Sequence, residues 1–190
     1  MTFRRGFKAE AERISCELRA ELGLGALERL DPLSLAEHLA IPVFGLSELA
    51  QFDGGGSSFI RVLRSAERDA FSAITVFAGG RRLVIHNDSH ASTRQASNVT
   101  HELSHCVLEH PPSPILSPEG CRHWNSRLED EADWLAGALL IPREGALTLT
   151  KRRWPMERIA ERYGVSEQLC RRRVNETGVS IQAKRWASGW

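Results

Sequence analysis

Apolar residues recur every three or four positions in several stretches of the chain, a spacing that predicts amphipathic helices. The first such helix covers residues 7–22 and ends at Gly23. A shorter one is predicted to begin at Asp31-Pro32, where an N-cap residue precedes proline at the first helical position, and to run to about Leu39. The chain therefore opens with helices.

Two longer helical patterns lie in the second half of the chain. The first has an apolar stripe formed by Val99, Leu103, Cys106 and Val107, and the second has one formed by Leu128, Ala132, Leu135 and Leu139. We expect Asp88 or Ser89 to cap the start of the first helix and Pro111-Pro112 to end it after His110. Pro142 is expected to end the second helix.

Between these two groups of helices, residues 57–63, 71–78 and 81–87 are rich in Ile, Val and Phe and are predicted to be β-strands. Residues 78–81 are predicted to form a hairpin turn between the last two, and Ser47 to cap one more helical turn. Because the strands lead directly into the next helix, the pattern predicts an α+β fold. In it a small antiparallel sheet packs against that helix.

The residues His101-Glu102-Leu103-Ser104-His105 lie within that helix. Because positions i and i+4 share one helical face, His101 and His105 can bind a single divalent ion, Zn²⁺ or alternatively Mn²⁺. Glu102 projects beside them, where it can reach a water on the metal rather than the metal. A Lewis acid and a carboxylate base are what a peptidase needs to activate water. We therefore predict two metal ligands, His101 and His105, and a catalytic base, Glu102.

Two histidines leave a catalytic zinc site one protein ligand short. Glu129, on the second helix, is predicted to complete the site, and Asp133 to hold one of the two histidines by its other ring nitrogen. The alternative for Glu129 is a capping box with Ser126, in which it only satisfies a backbone N–H. Glu131 is a weaker candidate ligand because it points about 200° away around the helix. We expect Glu131 to be a solvated charge.

With this pair of helices, the chain resembles the ImmA/IrrE family of bacterial and phage metallo-endopeptidases over roughly residues 30 to 180. The motif helix followed by residues 129–142 is the most specific part of the resemblance. The resemblance implies a zincin-like metallopeptidase in which His101, His105 and Glu129 are metal ligands and Glu102 is the base. It also implies a protein substrate, a helix-turn-helix transcriptional repressor that is cut to induce gene expression.

Composition agrees with an ordinary globular protein, since 42% of the residues are hydrophobic. No apolar run approaches the length of a membrane helix, and the first residues do not have the pattern of a signal peptide. The four cysteines contain no C-x-x-C pair. We therefore expect a cytoplasmic protein that does not enter a membrane.

Charge is distributed unevenly along the chain. Residues 1–150 contain 15 basic and 20 acidic residues, whereas residues 151–190 contain 10 and 4. We predict a metallopeptidase domain in residues 1–150 and a basic helical segment in residues 151–190 that packs on it. Gly164 and Ser166, followed by Arg171-Arg172-Arg173, make this segment similar to a helix-turn-helix.

The similarity supports a second functional hypothesis, that of a DNA- or protein-binding transcriptional regulator whose metal site is structural or sensory. In this hypothesis the three arginines bind nucleic acid directly. The alternative is that the segment packs against the rest of the protein.

Three further histidines, His86, His110 and His123, and the single tyrosine, Tyr163, could in principle stabilise an oxyanion. Each is explained more simply as a solvated or hydrogen-bonded side chain. We therefore assign the role of oxyanion donor to none of them.

Overall fold

The computed structural model describes residues 3–52, 71–78, 80–111 and 125–188. Within these ranges the first half of the chain contains α1 (Phe7–Glu21), α2 (Pro32–His38), β1 (Val43–Gly45), α3 (Leu46–Phe52), β2 (Ala73–Ala78) and β3 (Arg81–His86). The second half contains α4 (Ser92–Val107), α5 (Ser126–Leu140), α6 (Arg143–Lys151), α7 (Met156–Tyr163), α8 (Glu167–Glu176) and α9 (Val179–Ala187). The predicted α+β class is confirmed.

The three strands form one sheet in the order β1-β3-β2. β2 and β3 are antiparallel, with Thr75 opposite Val84, so the predicted hairpin is confirmed. β1 runs parallel to β3, with Val43 opposite Val84, which makes the sheet mixed rather than antiparallel. The sequence does not predict β1, because three residues are too few for a readable alternation. The predicted strand 57–63 lies outside the described residues.

The core is built around α5, which packs against α4 on one side and α1 on another. Leu103 of α4 and Leu135 and Leu139 of α5 are completely buried where the two predicted stripes meet. Phe7 of α1 is equally buried in the same cluster. This packing holds α4 and α5 beside each other, so that the polar edges of the two helices face one another.

The start of α4 differs from the prediction. The helix begins at Ser92 with Ala91 in the N-cap position and no side-chain cap, so neither Asp88 nor Ser89 caps it. Asp88 instead accepts hydrogen bonds from the backbone N–H and the hydroxyl of Ser47. Ser47 itself lies in the first turn of α3, so its predicted capping role is wrong as well. These polar side chains join the β1–α3 connection to the segment that follows β3.

The end of α4 is a tight reversal of the chain. Glu109 has a left-handed backbone conformation (φ 53°), and the backbone N–H of His110 donates to the carbonyl of His105 at 3.0 Å. Arg82 of β3 donates to the carbonyls of His105, Cys106 and His110 at 3.1, 3.3 and 3.1 Å. The helix therefore ends at Val107, before the prolines, and His110 returns to the side of His105.

The helices α7 and α8 are joined by the predicted turn. Gly164 has φ 66°, and the Ser166 hydroxyl accepts a hydrogen bond from the backbone N–H of Leu169 at 3.2 Å. Tyr163 is completely buried and belongs to the same hydrophobic cluster as the side chains of α5. The division of the chain into residues 1–150 and 151–190 stays a prediction. No helix in the described ranges is long and apolar enough to cross a membrane.

Candidate metal centre

Three side chains converge in the cleft between α4 and α5. His101 Nε2 lies 3.1 Å from His105 Nε2 and 3.3 Å from Glu129 Oε2, and His105 Nε2 lies 3.5 Å from the same carboxylate oxygen. The two histidines lie one helical turn apart on α4, and Glu129 reaches them from the first turn of α5. The structure therefore brings together the three side chains predicted as metal ligands.

The spacing of these atoms fits a single small cation. Bonds of about 2.0–2.1 Å to zinc in a tetrahedron place neighbouring ligand atoms about 3.3–3.4 Å apart. The three separations in the cleft, 3.1, 3.3 and 3.5 Å, scatter around that value. Two imidazoles and one carboxylate also leave a fourth position open, as catalytic zinc sites do.

Glu129 does not take part in a capping box. α5 is capped by Asn125, whose side chain accepts a hydrogen bond from the backbone N–H of Arg127 at 3.2 Å, and Ser126 is the first helical residue. The capping alternative for Glu129 is therefore wrong, and its carboxylate is available to the two histidines. Burial raises the pKa of Glu129, but the hydrogen bonds with His101 and His105 outweigh that effect and lower it well below its usual range.

Asp133 holds the first histidine. Its Oδ1 lies 2.9 Å from His101 Nδ1, one helical turn beyond Glu129, as predicted for one of the two histidines. Burial lowers the pKa of His101, but the hydrogen bonds with Asp133 and Glu129 outweigh that effect and raise it to about 9. The cleft therefore stabilises a positive charge at this point, which is also what the binding of a cation needs.

The second histidine is held by a different arrangement. His105 Nδ1 lies 2.9 Å from His110 Nδ1, and His110 Nε2 lies 3.6 Å from Glu131 Oε2. Glu131 is only 4% exposed, so the expectation of a solvated charge is wrong, and its carboxylate does not belong to the group of converging ligand atoms. Burial and the neighbouring His105 lower the pKa of His110 to about 4, so the ring is neutral at pH 7.

Sequence reasoning misses this role of His110, because a five-residue separation does not place two side chains on one helical face. A helix that ends shortly after His105 is the signal that could have found it, since the reversed chain returns His110 to that face.

Glu102 lies beside the three ligands but is not one of them. Its Oε2 accepts a hydrogen bond from the Thr75 hydroxyl of β2 at 2.7 Å, and the side chain is 7% exposed. It lines a 320 Å³ pocket together with Ser72, Ala73, Ser97, Asn98, His101, Glu129 and Asp133. A carboxylate in this place can exchange a proton with a water in the pocket while the other carboxylates hold the histidines.

The other candidate side chains lie elsewhere. His86 borders a separate cavity of 160 Å³ with Gln95 and Val99, and burial lowers its pKa. Tyr163 donates a hydrogen bond to the carbonyl of Ala26 at 2.9 Å. His123 lies outside the described residues. Neither His86 nor Tyr163 is therefore assigned as an oxyanion donor.

A motif-bearing helix beside a small sheet, with three ligand atoms converging from two helices, defines the zincin-like class. The chain belongs to the Peptidase_M78 family, whose model, described as the IrrE N-terminal-like domain, matches residues 36–175. The predicted family resemblance is thereby confirmed.

No curated protein matches the chain. Among solved structures, a Mycobacterium tuberculosis transcriptional regulator is similar at 14% sequence identity and a TM-score of 0.49. The similarity covers 88% of this chain and 46% of the regulator, so the chain spans less than half of that protein's length.

Proposed function

We propose that this protein is a metal-dependent endopeptidase that cleaves a regulatory protein, a helix-turn-helix transcriptional repressor, and thereby induces gene expression. The observation that carries the proposal is the position of Glu102. It is buried beside the three ligand side chains, is held by Thr75 and borders the same pocket as they do. A site that only stores or senses a metal does not need a carboxylate held there.

A divalent ion, Zn²⁺ or Mn²⁺, held by His101, His105 and Glu129 would supply Lewis acidity to the attacking water and to the scissile carbonyl. Glu102 accepts a proton from the attacking water and passes it to the nitrogen of the leaving amine as the C–N bond breaks. The hydrogen bond from Thr75 keeps the carboxylate turned toward the pocket. Asp133 orients the ring of His101 through Nδ1, so that Nε2 faces the other two ligands.

The substrate is proposed to bind along β2 in an extended conformation. Among the described strands β2 is at one end of the order β1-β3-β2, and its first residue, Ala73, borders the pocket beside Glu102. A peptide that adds to this side of the sheet would run past the catalytic base. The repressor as substrate rests on the family resemblance.

Arg173 of α8 supports the peptidase over the DNA-binding hypothesis, because this arginine is buried and paired within the chain. Arg173 is 3% exposed, pairs with Glu12 and donates to a backbone carbonyl. Arg172 lies 3.7 Å from Asp133, and Arg171 pairs with a glutamate of its own helix. Arg173 therefore packs into the protein, whereas Arg171 and Arg172 are 56% and 43% exposed and their surface ion pairs do not separate the two hypotheses. Mobility-shift assays with metal-free protein test the alternative directly.

The test compares the purified protein with a Glu102→Gln variant, after loading with zinc or manganese and measurement of the metal content. Both are incubated with helix-turn-helix repressors and, separately, with a cell extract whose new N-termini are mapped by mass spectrometry. About one metal per chain in both proteins, with a new N-terminus in a regulator only for the wild type, is the expected result. Absence of metal from both would contradict the site. Metal in both without any new N-terminus would favour the regulator hypothesis.

A further inference from the structure

The two histidine ligands differ in how they are supported. His101 is held by the carboxylate of Asp133, as is common for metal-binding histidines. His105 is held by a second imidazole, that of His110, at 2.9 Å between the two Nδ1 atoms. We propose that His110, supported by Glu131, is a positioning residue that fixes the tautomer and the ring orientation of His105 for metal binding. This inference rests on the proposed function, since it concerns the same site.

The tautomers follow from the geometry. His105 Nε2 faces His101 and Glu129, so it must be free of a proton to bind a cation there. The proton of His105 is then on Nδ1, and His110 Nδ1 has to accept the hydrogen bond. The proton of His110 is consequently on Nε2, which is the atom that faces Glu131 at 3.6 Å. One chain of contacts thus determines both rings.

Two residues in this chain of contacts are buried, so each of them depends on its protein partner. His110 and Glu131 are 7% and 4% exposed, so water offers little replacement for a lost partner. Arg4 adds a positive charge next to the carboxylate, with Nε 3.7 Å from Glu131 Oε1. Burial of an unpaired glutamate costs free energy, so Glu131 needs a partner. One of its partners, His110, contacts the Nδ1 side of the metal ligand His105.

The backbone leaves His110 little freedom to turn away. The reversal at Glu109, with φ 53°, brings residue 110 back over the last turn of α4. The Arg82 guanidinium donates to the carbonyls of both His105 and His110, which ties the two ends of this turn together. The contact between the rings therefore follows from the backbone geometry of this turn.

The first test measures zinc affinity by competition with a chromophoric chelator. His110→Leu keeps much of the volume but removes the acceptor, and we expect a 10- to 100-fold weaker affinity, about the size found for lost partners of metal-binding histidines. His110→Asn can accept the hydrogen bond through its amide oxygen and is expected to stay within about threefold of the wild type.

The matched control is His38→Leu, which removes another histidine–glutamate pair, with Nε2 2.7 Å from Glu21 Oε2, on the surface. We expect the zinc affinity of this variant to stay within about twofold of the wild type. A loss of affinity in His110→Leu would then be due to the position of His110 beside the metal ligands. A wild-type affinity in a folded His110→Leu variant would overturn the inference and leave the proposed function intact. A wild type that binds no metal would overturn both.

The second test uses only the wild type, so it does not depend on the folding of a variant. Long-range ¹H–¹⁵N spectra of the zinc-loaded protein report which ring nitrogen of each histidine carries a proton. We expect the proton of His105 on Nδ1 and that of His110 on Nε2. A His110 ring with its proton on Nδ1 would overturn the inference, whatever the peptidase assay shows. The expected tautomers in a protein without peptidase activity would support it while contradicting the proposed function.

Discussion

Replacement of Thr75 by valine removes the hydroxyl that donates a hydrogen bond to the proposed catalytic base and that also interacts with the Cys106 thiol. Valine has nearly the shape of threonine, and position 75 keeps its backbone pairing opposite Val84 in the middle of β2. The bond that is lost runs from the hydroxyl to Glu102 Oε2 at 2.7 Å. The variant therefore tests the contribution of this hydroxyl to the orientation of the carboxylate.

The size of the effect follows from the environment of Glu102. A hydrogen bond to a charged group is worth about 1.5–3 kcal/mol, and Glu102 is 7% exposed, so water replaces the donor poorly. Without the hydroxyl the carboxylate can turn away from the pocket, and this loss of orientation is what lowers the rate. Since about 1.4 kcal/mol corresponds to a factor of ten, we expect a roughly 10- to 150-fold lower kcat. KM should change little, because the proposed substrate contacts are made by the backbone of the strand. The hydroxyl itself contacts the base.

The assay follows cleavage of a quenched fluorescent peptide that spans the mapped cleavage site, at equal metal content of all proteins. Thr75→Ser restores the donor and is expected to keep kcat within about threefold. Thr150→Val removes a hydroxyl that donates to the Ala146 carbonyl at 2.8 Å, in α6, and should leave kcat unchanged. A wild-type kcat for Thr75→Val would refute the reasoning, since the contact would then not position the base.

Three further predictions concern the fold and the metal. Ala40, an exposed residue with φ 53° after α2, should gain stability when replaced by glycine, by about 0.5–1 kcal/mol in urea unfolding, because an L-residue is strained there. The matched exchange in the last turn of α1, Ala20→Gly, should instead cost up to about 1 kcal/mol, and equal signs for the two would contradict the argument. In the folded protein iodoacetamide should label the exposed Cys16 and spare Cys170, because burial raises the pKa of the Cys170 thiol to about 11; peptide mapping that finds both labelled equally would contradict this. Zinc at about 100 times its Kd should stabilise the protein by about 2.7 kcal/mol, a rise in Tm of roughly 5–11 °C by calorimetry. The shift should vanish with chelator and in Glu129→Ala, and a shift that persists in that variant would place the ion elsewhere.

Several elements could be predicted from local patterns, because the forces that form them act between residues close in sequence. The stripes of α4 and α5 follow the helical period, and Asp31 caps α2 by accepting from the backbone N–H of Ser34 at 3.0 Å. The two histidines of the motif lie four residues apart, so a helix brings them together without tertiary contacts. The same argument predicts Asp133 as the partner of a histidine, since it follows Glu129 by one turn.

Competition between neighbouring polar residues is harder to predict. Asp88, Ser89 and Ser47 all suit a helix N-terminus by residue type, yet Asp88 and Ser47 hydrogen-bond to each other and no side chain caps α4. For α5, Asn125 takes the place that a local pattern gave to Ser126. Which residue occupies the N-cap position depends on the path of the chain before the helix, and that path is set by tertiary packing.

The surroundings of the metal ligands include contacts that short sequence patterns predict and contacts that they do not predict. The residue types and spacings along α4 and α5 determined the ligands and the base as candidates, because a helix relates them by simple geometry. Only the tertiary structure placed Glu129 3.3 Å from His101, put His110 and Glu131 behind His105 and buried Arg173 against Glu12. These contacts join residues that are distant in sequence or separated by a chain reversal, so they depend on the packing of α1, α4 and α5 around one core, which no short pattern encodes.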